Sequence, residues 1–237
     1  FWPLWILVSL GVVCPGLYFR GHYFLFVMPI ASLLAGLATS QLTRTTEGSP
    51  PRTWITGVIS GILLLAAVQQ RDMYFQFSGE TISRLIFGVN PFAEAQTIGD
   101  YIRRNSDPED TLAVIGSEPQ IYFFSQRHSA TGYIYMYPLM ENHPFSQTMQ
   151  RELIEQIEAA RPKFVVYVNV KDSWLRSPEP YSDLRDWYPD YLRAHYRIAG
   201  LVELGKEQST SRWDEDVAGL LLPAASAEWV SIYRRTD

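Results

Sequence analysis

Residues 21–42 hold no Asp, Glu, Lys or Arg, and this apolar run constrains the fold more than any other feature of the sequence. As one α-helix the run would reach about 33 Å, which is enough to cross the hydrocarbon core of a bilayer. Residues 1–19 and residues 53–70 share its apolar character. The sequence therefore predicts three membrane spans, with the first two joined in a tight helical hairpin.

Three side chains stand where the second predicted span begins: Arg20, His22 and Tyr23. Arg and Tyr collect at membrane interfaces, so one interpretation is that these residues anchor the helix in register. The other is that they contact a lipid phosphate or a phosphate-linked donor, with Arg20 and His22 as hydrogen-bond donors. The residue types alone favour the anchor, and both interpretations stay open.

Charge divides the chain into two parts. Before residue 71 the sequence has four charged residues: Arg20, Arg44, Glu47 and Arg52. The remainder carries 17 basic and 24 acidic residues, a net charge of −7. Such an acidic part argues against nucleic-acid binding, which needs a basic surface.

The loop between the second and third predicted spans carries Arg44 and Arg52, and the positive-inside rule places it in the cytoplasm. The C-terminal part is then extracytoplasmic. We therefore divide the chain into a transmembrane region (1–70), an amphipathic connector at the membrane interface (71–91) and an extracytoplasmic α/β domain (92–237).

The C-terminal part alternates between strand and helix patterns. Short apolar runs predict four strands: 111–115, 163–170, 196–204 and 228–235. Apolar residues at helical spacing predict three helices: 91–105, 144–161 and 182–195. A further helix is expected from an N-cap at Ser117 to Ser125, and a further strand or extended segment across 127–137. This order predicts a Rossmann-like α/β domain with a mostly parallel sheet and an antiparallel finish.

The most concentrated polar signal follows the first predicted strand. Open α/β sheets bind ligands at the carboxyl ends of their strands, so five side chains predict a ligand crevice: Ser117, Glu118, Gln120, Tyr122 and Arg127. Tyr122 offers a face on which a sugar can stack. A structural interpretation competes: a capped helix start, a Glu118–Arg127 ion pair and tyrosines that cover the sheet. It is favoured, because a second acidic residue for general acid–base catalysis is not evident nearby.

Common catalytic and metal-binding motifs are absent from the sequence. Its histidines are dispersed without metal-ligand spacing: His22, His128, His143 and His195. Cys14 is the only cysteine, so the chain has no intrachain disulfide. We therefore assign no catalytic residue and no metal site, and the cofactor stays unknown, with a divalent metal still open.

Four segments carry a resemblance to a known family. The run at 19–36 (FRGHYFLFVMPIASLLAG) resembles a late transmembrane segment of bacterial family 39-type membrane glycosyltransferases. This C-type superfold includes the protein O-mannosyltransferases and the lipid A aminoarabinose transferase. Three segments resemble the C-terminal extracytoplasmic domain of a bacterial subgroup: NPFAEAQTIGDYIRRNS, AVIGSEPQIYFFSQRHSATGYIYMYPLM and EQIEAARPKFVVYVNVKDSW.

The resemblance implies an enzyme that transfers a sugar from a polyprenyl-phosphate donor to an acceptor outside the bacterial inner membrane. The implied partners are that lipid-linked sugar and membrane lipid. The family's catalytic acidic residue lies in an early extracytoplasmic loop, and nothing here matches it. The chain is therefore expected to be the C-terminal fragment of a multi-pass protein, completed by an N-terminal transmembrane portion before Phe1. Arg20 and His22 are implied donor contacts.

Two other function classes stay open beside the glycosyltransferase. One is a membrane-anchored, non-catalytic module that binds a glycan or an envelope partner. The other is a structural or assembly subunit that uses its apolar segments to associate with other membrane proteins. The sugar and the acceptor are not identified by the sequence.

Overall fold

The computed structural model describes residues 2–14, 21–45, 53–174, 183–206, 208–219 and 227–236. The chain divides into two compact units between Gln76 and Phe77. In their described residues, the first unit is helical and the second is a layered α/β structure.

The first unit contains α1 (Trp2–Val13), a 3₁₀ helix (Gly21–Phe26), α2 (Met28–Thr45), α3 (Thr53–Gln69) and α4 (Arg71–Phe75). Helix α1 contacts the 3₁₀ helix and α2, and α3 contacts α4. Many large apolar side chains on α1 and α3 are exposed to solvent in this unit.

The prediction of three membrane spans is wrong. No helix among the described residues is both long enough and apolar enough to cross a bilayer. With 12 and 17 residues, α1 and α3 reach about 18 and 26 Å, less than the ~30 Å hydrocarbon core. The run 21–42 is not one helix, because a 3₁₀ helix precedes α2 and α2 ends in a polar stretch that contains Arg44.

The other membrane predictions depended on these spans and are corrected with them. The helical hairpin of the predicted fold class is not present among the described residues. The multi-pass placement in the bacterial inner membrane, with an extracytoplasmic C-terminal domain, is likewise not supported.

The second unit begins with α5 (Gly79–Phe87), α6 (Phe92–Arg104) and β1 (Thr111–Ile115). Next come α7 (Gln120–Ser125), β2 (His128–Ser129), α8 (Tyr137–Met140), α9 (Ser146–Ala160) and β3 (Phe164–Asn169). A 3₁₀ turn (Lys171–Ser173) follows β3 and precedes α10 (Asp183–His195). The remaining elements are β4 (Tyr196–Glu203), β5 (Thr210–Trp213), a 3₁₀ helix (Asp214–Val217) and β6 (Trp229–Arg235).

The described strands form one mixed sheet in the order β2-β1-β3-β6-β4-β5. Strand β1 is parallel to β2 and β3, whereas the pairs β3–β6, β6–β4 and β4–β5 are antiparallel. The predicted mostly parallel, Rossmann-like sheet is therefore wrong, although its antiparallel finish is present. The last strand, β6, inserts between β3 and β4 and so replaces the parallel neighbour that a Rossmann-like order would place beside β3.

The predicted three helices and four strands of this unit are confirmed to within two residues at each end. Two further predictions are correct only in part. Helix α7 is present and ends at Ser125 as predicted, but its N-cap is Pro119 and not Ser117. In the segment 127–137, predicted as a strand or an extended segment, the strand is limited to β2, because the chain turns just after it. In that turn the Thr131 hydroxyl accepts the N–H of Tyr133 at 3.1 Å, a local bond that competes with strand pairing.

The sheet lies between two helical layers. Alternate side chains of β1 divide between the faces: Ala113 and Ile115 join α8, α9 and α10, whereas Leu112 and Val114 join α6 and α7. Strand β3 alternates in the same way and is buried on both faces. Burial on both faces explains why these two strands are continuous apolar runs in the sequence.

Helices α6 and α7 meet at Gly99. A Cβ added there would lie 2.5 Å from Cβ of Phe124 and 2.7 Å from the backbone nitrogen of Ser125. We expect Gly99→Ala to lower the free energy of unfolding of the second unit by about 1–3 kcal/mol, because backbone must move. Gly79→Ala is the matched control, since nothing lies within 4 Å of its added Cβ. Urea denaturation measures both, and a Gly99→Ala midpoint equal to wild type would contradict the close approach.

Candidate functional site

The candidate site lies where β1 and β3, adjacent parallel strands, end. Helix α7 follows β1 and buries Ile121 in the layer with α6, whereas α10 follows β3 and buries Leu184 and Leu192 in the opposite layer. Connections that leave neighbouring strands toward opposite faces open a crevice at the strand ends, where open α/β folds bind ligands. The turns after β1 and β3 are therefore the expected position of a ligand-binding site.

Glu118 connects these two turns. Its side chain is almost wholly buried, at 2 % exposure, and Ser173 after β3 is 1 % exposed. The Ser173 hydroxyl donates to Oε1 of Glu118, and the Gln120 amide donates to Oε2. Burial raises the pKa of the Glu118 carboxyl, and the hydrogen bonds from Ser173 and Gln120 oppose that rise. The crevice between the two strand ends is thus bridged by the protein's own side chains.

The other residues of the predicted crevice have separate structural contacts. The Ser117 hydroxyl accepts the backbone N–H of Met136 at 3.1 Å. The buried phenol of Tyr122 accepts the N–H of Val114 at 2.8 Å, and burial raises its pKa. The structure therefore brings Glu118 and Gln120 together and gives Ser117 and Tyr122 main-chain partners.

Arg127 is buried at the C-terminal end of α6. Its Nη2 donates to the carbonyl oxygens of Arg103 and Ser106, at 3.0 and 2.7 Å. A cation at this end satisfies free carbonyls and complements the helix dipole. Among the contacts of the described residues, Arg127 therefore caps α6 and is not the ion-pair partner of Glu118.

The predicted donor contacts belong to the first unit. Arg20 and the side chain of His22 lie outside the described residues. Tyr23 lies in the 3₁₀ helix Gly21–Phe26 and is half-buried. The lipid-phosphate role of these three residues stays a prediction.

A cavity of about 510 Å³ lies beside the turn after β3, and we call it the strand-end cavity. This volume is in the range that holds a small molecule. Its described lining residues include Tyr167, Asn169, Lys171, Trp174, Arg185, Ala227 and Glu228.

Aromatic rings form a rigid wall of the strand-end cavity. Tyr167 and Trp174 are each 8 % exposed, so part of each side chain is accessible while its neighbours hold it in place. The Trp174 indole donates to the carbonyl of Val168 at 2.7 Å, and Tyr167 stacks on Tyr188 with ring centroids 4.2 Å apart. Burial is the main cause that raises the pKa of the Tyr167 phenol, and the nearby Arg185 guanidinium opposes it.

Polar groups from two strands surround that wall. The backbone N–H of Lys171, after β3, donates to Oε1 of Glu228, before β6, at 3.3 Å. The amide of Asn169 donates to the carbonyl of Ala227 at 3.1 Å. The guanidinium carbon of Arg185 lies 5.7 Å from the centre of the Trp174 ring. Hydrogen-bond donors and acceptors are therefore both present at one opening.

Two other cavities lie on helices of the same unit. One, of about 470 Å³, lies between α9 and α10, and its Arg151 and Asp183 pair at 2.9 Å. The other, of about 480 Å³, lies between α6 and α7, and its Arg103 and Asp100 pair at 2.5 Å. The strand-end cavity is favoured over both, because it alone of the three adjoins the carboxyl end of a parallel strand.

Within the described part of the chain, no group of three or more His, Cys, Asp and Glu side chains is placed to hold a metal ion. Whether a divalent metal takes part stays open.

Sequence reasoning missed the residues of the strand-end cavity. Lys171 and Trp174 directly follow a correctly predicted strand, so the strand-end rule applied to β3 would have found them. Arg185 and Glu228 are distant in sequence, and Glu228 arrives only through the pairing of β6 with β3. No local pattern signals that pairing.

Comparison with protein-family models, with curated proteins and with solved structures gives no match for this chain. The resemblance to family 39-type glycosyltransferases therefore stays a prediction.

Because the pKa of Glu118 is raised, we expect the stability of the protein to depend on pH through this residue. Its stabilising contribution is complete below the unfolded pKa, near 4.5, and is lost as the pH rises through the folded pKa. The Glu118→Gln substitution keeps the size and shape of the side chain and removes its ionisable group. We expect its stability relative to wild type to grow by on the order of 1 kcal/mol between about pH 4 and about pH 8. Denaturation across that range measures the difference.

The matched control is Glu109→Gln, which removes the same charge from an exposed turn. Its stability relative to wild type is expected to stay nearly constant with pH. If the Glu118→Gln curve runs parallel to wild type across the range, Glu118 is not a buried titrating group.

Proposed function

We propose that the second unit binds a sugar in the strand-end cavity and serves a glycosyltransferase as a non-catalytic binding unit. The lining of the cavity carries the proposal. A pyranose presents an apolar ring face surrounded by hydroxyls, and these hydroxyls both donate and accept hydrogen bonds. Trp174 and Tyr167 offer apolar surface, and donors and acceptors lie beside them.

Rigidity supports the same proposal. Three hydrogen bonds hold the turn that contains Lys171 and Trp174. The Ser173 hydroxyl donates to the Glu118 carboxyl, the Trp174 indole donates to the carbonyl of Val168, and the backbone N–H of Lys171 donates to the Glu228 carboxylate. A site whose groups are already held in place pays little conformational entropy on binding. This matters for a sugar, whose individual hydrogen bonds replace bonds to water and so contribute little net affinity.

The proposed role is binding and not catalysis. Of the described residues that line the cavity, Glu228 alone has a carboxylate, and that group accepts the N–H of Lys171. Glycoside hydrolases, for comparison, commonly use two carboxyl groups across the reacting centre. Glu118 accepts hydrogen bonds at both of its oxygens already.

The resemblance supplies the wider reaction in this proposal. It implies sugar transfer from a polyprenyl-phosphate donor, and the strand-end cavity is suited to hold the sugar of such a donor or of its acceptor. The sugar and the acceptor are not specified by the resemblance.

Filling the cavity tests the proposal. The 237-residue chain is titrated by calorimetry with glucose, galactose, mannose and glucuronate, and we expect at least one to bind with Kd on the order of 1 mM. Ala227→Trp places a large ring in the opening without changing charge, and is expected to weaken binding at least tenfold. Ala218→Trp, at an exposed position that does not line the cavity, is the control. Absence of binding by wild type, or equal binding by Ala227→Trp, would contradict the proposal.

A further inference from the structure

We infer that the strand-end cavity prefers an anionic sugar, one that carries a carboxylate or a phosphate, over its neutral counterpart. The inference rests on the proposed function, because it names the class of sugar for the same site. It is carried by the placement of two cations, Lys171 and Arg185, among the lining residues.

Arg185 is placed to bind an anion beside the aromatic wall. Its guanidinium carbon lies 5.7 Å from the centre of the Trp174 ring, within the range of a cation–π contact. Burial raises the pKa of the Tyr167 phenol, and the guanidinium is near enough to oppose part of that rise. A guanidinium carries a planar fork of N–H donors whose geometry matches the two oxygens of a carboxylate or phosphate.

Lys171 adds a second positive charge at the start of the turn that Trp174 ends. Both Lys171 and Arg185 are exposed. Among the described lining residues, the negative group is the Glu228 carboxylate, whose Oε1 accepts the backbone N–H of Lys171. The described lining residues therefore have one more basic than acidic side chain.

The net charge of the whole unit is negative, opposite in sign to that of the described lining residues. Residues 77–237 carry a net charge of −7, so the unit as a whole repels anions. Preference for an anionic sugar therefore has to come from short-range contacts at the cavity and not from the overall charge. Such contacts weaken with added salt, because exposed charges are screened.

Calorimetric titration of the 237-residue chain with four probes tests the inference: glucose, glucuronate, glucose 1-phosphate and inorganic phosphate. We expect glucuronate, glucose 1-phosphate or both to bind about tenfold more tightly than glucose, with a smaller ratio at high salt. Arg185→Met and Lys171→Met are each expected to reduce that ratio severalfold. Arg193→Met, on the same helix as Arg185, and Lys206→Met are the matched controls and should keep the wild-type ratio.

The possible results distinguish the preference for an anionic sugar from sugar binding itself. If glucose binds as tightly as both anionic sugars, the anionic preference is wrong while sugar binding stands. If no sugar binds, both are wrong. If inorganic phosphate binds as tightly as glucose 1-phosphate, the cavity is an anion site without sugar recognition, and the inference is overturned. A preference for one anionic sugar alone supports the inference and identifies whether the carboxylate or the phosphate is recognised.

Discussion

The buried carboxyl group of Glu118 is the contact on which the strand-end cavity depends. It holds the turn after β1 to the turn after β3 through Ser173, and the next residue, Trp174, forms the wall of the cavity. A carboxyl group is expensive to bury unless its oxygens accept hydrogen bonds, and Ser173 and Gln120 provide them. The neighbouring Gly116 allows the chain to pass close to β3 here, because a Cβ at this position would lie 2.6 Å from Cβ of Val168.

The mixed order of the sheet explains where the cavity is open. In a wholly parallel sheet the neighbour of β3 would end beside it, whereas here β6 begins there, with Asn169 opposite Trp229. Residues before β6, Ala227 and Glu228, are therefore brought to the carboxyl end of β3. One side of the crevice is closed by Glu118 and Ser173, and the other combines a strand-end turn with the start of an incoming strand.

The sequence predicted the parts of this fold that depend on local pattern. Strands β1 and β3 are continuous apolar runs because both faces are buried, and α6, α9 and α10 carry apolar residues at helical spacing. The prediction of membrane spans is wrong because an uncharged run is long enough to cross a bilayer only if it forms one continuous helix. Residues 21–42 instead change from a 3₁₀ helix to an α-helix at Met28. Absence of charge says nothing about such a break.

The site was predicted only in part, for a similar reason. The strand-end rule selected Glu118, but its partner Ser173 is 55 residues away and is brought near by the pairing of β1 with β3. Arg127, chosen as a ligand contact, caps α6 instead, and its partners Arg103 and Ser106 lie on the other side of β1 in sequence. Contacts between distant segments decide both roles, and no local pattern encodes them.

The central claim is that sugar binds at the carboxyl end of β3, and NMR mapping of the ¹⁵N-labelled 237-residue chain with glucuronate tests it most directly. We predict that the largest chemical-shift changes fall on the backbone amides of Lys171 and Glu228 and on the Trp174 indole N–H. Shifts concentrated instead on Arg151 and Trp187, in the cavity between α9 and α10, would contradict it.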